Sequence, residues 1–208
     1  MFWYRRPDDR TRRKVAILSL TWFAFEIADF MASWGRRNNL WIGYLITPVQ
    51  AGLVFWILYD WQTTPVARRM IRWLMPATIG ALIILNLRYE DLKQFSLLTA
   101  TLTSIVLLGL SLFTLVTRSL AEHEAPLLRR DWFWICCGLA LYFSLEAGVA
   151  PLMRYLLEQK NYATWEIVWR IRVTATIATM LILTRGLLCP LSDVRSMRAS
   201  AGATAEVA

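Results

Sequence analysis

The apolar residues of this chain fall in blocks as long as a bilayer is thick. A hydrocarbon core of about 30 Å takes roughly 20 helical residues to cross. Six such blocks can be read, at about 14–34, 40–60, 69–87, 95–117, 132–155 and 164–188. In lipid a segment must satisfy its own backbone hydrogen bonds, which a helix does. The fold expected is therefore all-α: a polytopic transmembrane bundle of six membrane-spanning helices. With 57% hydrophobic residues, 18% charged and 11 Trp, the composition excludes a disordered chain.

Three parts are expected: a basic N-terminus over 1–13, one transmembrane domain over 14–188, and a small, polar, disordered tail over 189–208. The connections Gly35–Asn39, Trp61–Arg68, Arg88–Gln94, Arg118–Asp131 and Leu156–Ala163 are too short to hold a soluble domain. The third block, Met70 to Leu87, reads as the shortest span, with Pro76 bending it. The first apolar stretch carries Glu26 and Asp29 and lacks a small-residue cleavage site, so no cleavable signal peptide is expected.

The formal charge of +8 is informative by its placement. Arg5, Arg6, Arg10, Arg12, Arg13 and Lys14 precede the first block. Arg68, Arg69 and Arg72, then Arg118, Arg129 and Arg130, then Arg185, Arg195 and Arg198 fall on the same side of a six-span chain. Fewer basic residues fall on the other side, so both termini are expected in the cytoplasm, facing anionic lipid. A membrane-directed charge of this kind argues against a nucleic-acid partner. Trp56, Trp61, Trp73, Trp132 and Trp134 would mark the inner interface, and Trp34, Trp41 and Trp165 the outer one.

Ionisable groups within hydrocarbon cost on the order of 2.5–3.5 kcal/mol each at mid-helix on insertion scales, so each needs a reason. Glu26, Asp29, Gln50, Glu146, Arg170 and Arg172 come out roughly 8–15 Å below the outer boundary when depth is counted along the helices, with Glu166 one turn above Arg170. This shared level predicts a polar intramembrane cluster. It would serve as a structural lock, as a ligand or ion site, or as a proton-handling site. Glu166 and Arg170 are four apart and can pair on one helix face. Arg170 and Arg172 differ by about 200° around the helix and cannot both face inward. Arg170 is expected to face the interior with Glu166 and Thr174, and Arg172 to reach Glu146 or the outer interface.

Ala140, Ser144 and Gly148 recur every four residues and predict a small-residue seam for close helix packing, either within the chain or against a partner. Thr99, Thr101, Thr103 and Ser104 are expected to bond to backbone carbonyls of their own helix. His123, between Glu122 and Glu124, reads as a solvated loop residue, and Cys136, Cys137 and Cys189 as reduced thiols near the inner helix ends. No Walker loop, paired-glycine dinucleotide turn, HExxH or GxSxG motif occurs, and no metal or cofactor is implied.

Asn38-Asn39-Leu40-Trp41 opening a helix that reaches Thr47-Pro48, with Asp131-Trp132-Phe133-Trp134 leading into Tyr142-Phe143-Ser144, resembles uncharacterised bacterial membrane proteins of six to seven helices. The resemblance covers most of the chain and implies a multi-pass protein of the bacterial cytoplasmic membrane; it implies no activity. From the residues, the expected role is non-enzymatic. The protein would act through helix–helix contacts, as an accessory subunit of a membrane complex or as a small membrane sensor. The alternatives are a small-solute or ion transporter and an enzyme acting on lipid through Glu26, Asp29 and Glu146.

Overall fold

A computed structural model describes residues 7–34, 40–89, 97–121 and 127–189. These form six α-helices: α1 (Pro7–Trp34), α2 (Leu40–Asp60), α3 (Pro65–Arg88), α4 (Leu98–Ala121), α5 (Asp131–Glu158) and α6 (Tyr162–Leu188). A single 3-10 turn, Leu127–Arg129, precedes α5, and no strand occurs among the described residues. Five helices, α2 to α6, are long and apolar enough to cross a membrane. The chain is an integral, multi-pass membrane protein with a helical-bundle fold. The tail beyond 189 and His123 lie outside the described residues.

Two boundaries differ from the sequence expectation for local reasons. The first helix begins at Pro7, so part of the basic N-terminus is helical and continuous with the apolar block. α3 begins at Pro65 because Thr64 caps it, its side chain accepting from the Ala67 N–H at 3.2 Å, while proline supplies the first helical φ. At 24 residues α3 is longer than α2 at 21, so it is not the shortest span, and Pro76 sits inside one continuous helix.

α5 and α6 form a tight hairpin. The Asn161 N–H bonds to the Leu156 carbonyl and the Lys160 N–H to that of Leu157, a Schellman ending with Lys160 at φ 53°. The Asn161 side chain then accepts from the Thr164 N–H and caps α6. A left-handed φ strains any residue with a Cβ. Lys160→Gly is therefore expected to raise stability by about 1 kcal/mol, read from unfolding in detergent.

α5 is the hub, with its largest contacts to α4 and α6, while α2 packs on α1, α3 and α4. The core joins Leu18 and Trp22 of α1, Phe55 and Leu58 of α2, Leu82 of α3, Leu107 of α4, and Ile135, Leu139 and Phe143 of α5. Lipid is as apolar as these side chains, so what holds the bundle is close packing rather than escape from water. Two glycines show it. A Cβ on Gly186 would stand 2.6 Å from Ile135 Cγ1, and one on Gly138 2.9 Å from Leu183 Cδ2.

The predicted seam is not where that approach occurs. Ser144 and Gly148 are exposed, and nothing lies within 4 Å of a Cβ at Gly148. Along α5, Leu139, Phe143, Ala150 and Met153 turn inward, which leaves the Ala140–Ser144–Gly148 row on the outer side. The tryptophan belt is corrected in part as well. Trp56 and Trp73 are exposed as expected, but Trp61 and Trp132 are buried core residues.

Candidate functional site: polar side chains of the bundle

Polar groups gather at three levels. At one end, the start of α1 meets the ends of α2 and α6 and the start of α5. Lys14 pairs with Asp60 and lies over the Trp56 ring at 4.1 Å. Arg12 lies 3.6 Å from Asp131 and donates to the Cys189 carbonyl at 2.6 Å. Next to these, Arg68 donates to the Gln62 carbonyl, and Gln62 donates to Thr114 at 2.8 Å, tying α2 to α4. The start of α1 and the end of α6 therefore share one end of the bundle. Cys136, Cys137 and Cys189 lie there as free thiols, and no cluster of metal-binding side chains occurs among the described residues.

Halfway along α5, Glu146 accepts from Arg172 Nε at 2.8 Å, an ion pair with side-chain exposures of only 13% and 25%. The Arg172 guanidinium also lies over the Trp169 ring at 5.3 Å. Helical phase explains the pairing. Arg172 stands two turns before Thr179, the buried residue facing α5, and so projects from the same side of α6. Glu146 stands one turn from both Phe143 and Ala150 on the inner side of α5.

One further layer concerns α1 and α2. Counting from the Lys14–Asp60 link, Trp22 lies about 12 Å along α1 and Gln50 about 15 Å along α2, at nearly the same height. Both are buried, and neither Trp22 Nε1 nor Gln50 Nε2 finds a hydrogen-bond acceptor. The Trp22 ring lies against Tyr142 with centroids 4.7 Å apart. Sequence reasoning named Gln50 but not Trp22, whose indole is indistinguishable from other core aromatics until its neighbours are known.

Arg170 does not face the interior. Nine residues before Thr179, it lies half a turn away from the buried side, and its side chain is 76% exposed. It donates to Glu166 at 2.6 Å, so the local pair forms as the four-residue spacing predicts, but on the outward face of α6. The Thr174 hydroxyl, also exposed, donates to the Arg170 carbonyl. The cluster expected from depth is thus divided between an inward pair, Glu146 with Arg172, and an outward pair, Glu166 with Arg170. The side chains of Glu26 and Asp29 lie outside the described residues.

In α4, Thr103 donates to its own helix at the Thr99 carbonyl, as expected, but Thr99 reaches across to Asn86 Oδ1 of α3 at 2.6 Å. Thr101 Oγ1 is buried without a partner. No protein-family model matches the chain, and no curated protein or solved structure matches it.

Proposed function

We propose that the protein is a non-enzymatic subunit of a larger membrane assembly, acting through helix contacts, with α1 as a sixth span packed on α2. The observation that carries this reading is the Glu166–Arg170 pair. It sits on the open face of a helix otherwise lined by exposed Ile167, Ile171, Val173, Ile177 and Leu181. Arg170 lies eight residues, about 12 Å, inside the start of α6. Charge at that depth is expensive against lipid and becomes tolerable against protein. α3 offers a second open face through Val66, Trp73, Ile83, Ile84 and Leu87.

Extraction in mild detergent is expected to yield a particle larger than one 24.1 kDa chain with its micelle, carrying a defined partner at fixed ratio. A consistently solitary, monodisperse chain would overturn the reading. A small-solute or ion carrier is the second reading. It draws on the unpartnered Trp22 and Gln50 donors in one layer and the Glu146–Arg172 pair in another, and its signature is flux into proteoliposomes containing the pure protein.

A further inference from the structure

We propose that the start of α3 holds the headgroup of an anionic phospholipid through Arg68, Arg69 and Arg72. The proposal is independent of the assembly reading, whose evidence lies on α6. All three arginines are exposed and stand within the first turns of one helix. At 3.6 residues per turn, Arg72 projects about 40° and Arg69 about 100° from Arg68, so the three share one sector. Two of them are held in place by neutral oxygens. Arg72 donates to the Tyr59 hydroxyl at 2.7 Å and lies over its ring, and Arg68 Nε donates to the Gln62 carbonyl at 3.0 Å. These bonds fix the guanidinium groups beside the α2–α3 turn without adding negative charge. Each leaves most of the five N–H donors of its arginine unused. Arg69 has no partner among the described residues.

Charge calls for an anion. Among the described acids of this end, Asp60 pairs with Lys14 and Asp131 with Arg12, and neither pairs with the three arginines. Planar guanidinium groups match the oxygens of phosphate, and several of them together favour a charged over a zwitterionic headgroup. Depth decides between a free anion and a lipid. The uncharged stretch of α3 between Arg72 and Arg88, residues 73–87, spans about 22 Å, well short of a hydrocarbon core of about 30 Å. Arg72 is thereby drawn to the edge of the hydrocarbon, where lipid phosphates are the nearest acceptors. Trp73, next in the chain and 71% exposed, marks the same level, because indole prefers the headgroup region. Deeper along the helix, exposed Ile83, Ile84 and Leu87 continue the sector of the arginines and offer the acyl chains an apolar wall.

The test uses the full chain purified in mild detergent, with bound lipid counted by mass spectrometry of the intact complex. The chain is expected to retain phosphatidylglycerol in preference to phosphatidylcholine at equal concentration, and equal retention would overturn the proposal. Arg69→Gln with Arg72→Gln is expected to weaken phosphatidylglycerol binding about tenfold. The matched control, Arg13→Gln with Arg185→Gln, removes two exposed charges from the same end and is expected to change binding by less than about twofold. Equal losses in the two pairs would reveal diffuse attraction to a basic surface and overturn the site. Arg69→Gln alone breaks no contact within the chain, so the loss of about threefold expected from it cannot come from misfolding. Inorganic phosphate at millimolar concentration is expected to leave the lipid in place; displacement would assign the arginines to a free anion instead. Poly-glutamate held through the same arginines, with no lipid preference, would assign them to an acidic protein segment and likewise defeat the lipid site.

Discussion

Arg172→Ala is expected to cost the bundle about 3–5 kcal/mol, the largest effect of any single polar substitution in the chain. The reason lies in what remains. Glu146 stays in the middle of α5 with its side chain almost fully covered and no counter-charge at 2.8 Å. Breaking a buried pair by removing one member leaves an uncompensated charge, which is far worse than removing both. Glu146→Leu combined with Arg172→Met should therefore recover most of the loss. Unfolding followed by helical signal against denaturing detergent measures both, and equal stability of the single and double variants would show that the pair does not hold α5 to α6. The contrasting substitution is Arg170→Ala, whose exposed partner Glu166 keeps its surroundings, so the isolated chain should barely respond.

Gly186→Ala should destabilise the α5–α6 hairpin by about 1–3 kcal/mol, the usual range for overpacking a tight contact. The added methyl would sit 2.6 Å from Ile135 Cγ1 and 3.2 Å from the Asp131 carbonyl oxygen. Neither neighbour yields easily: one is a β-branched side chain with a stiff χ1, the other is backbone. Gly148→Ala provides the internal control. Its Cβ meets nothing within 4 Å, and alanine is the better helix former, so stability should hold or rise slightly. Against an Ile135→Ala background, which removes the Cγ1 that stands in the way, the added cost of Gly186→Ala should shrink. If both glycines respond alike, helix propensity rather than contact decides the outcome.

The six helices were legible in the sequence because long apolar blocks carry a simple length signal. Facing was not, and α6 shows why. Its apolar residues run all the way round, so there is no contrast between a lipid side and a protein side. Depth alone grouped Arg170 with Arg172. Only the phase of Thr179, Leu183 and Gly186 tells which arginine turns inward, and that phase needs the α5 contact. The start of α3 is the opposite case. Thr64-Pro65 is a local cap-and-proline signal present in the sequence, but a reading by hydropathy starts the helix after the charged Arg68. Small residues mislead in a third way. Ala140, Ser144 and Gly148 form a visible row that stays open, while the close approach uses a lone glycine from each helix. A single glycine has no spacing pattern to read.

The bond from Arg12 to the Cys189 carbonyl has a consequence for the order of events during synthesis. The acceptor stands at the close of α6, 177 residues downstream of the donor. The first helix therefore gains this anchor only after α6 has been made. Until then Arg12 has Asp131 alone among these two partners, so the seating of α1 is completed by the end of α6.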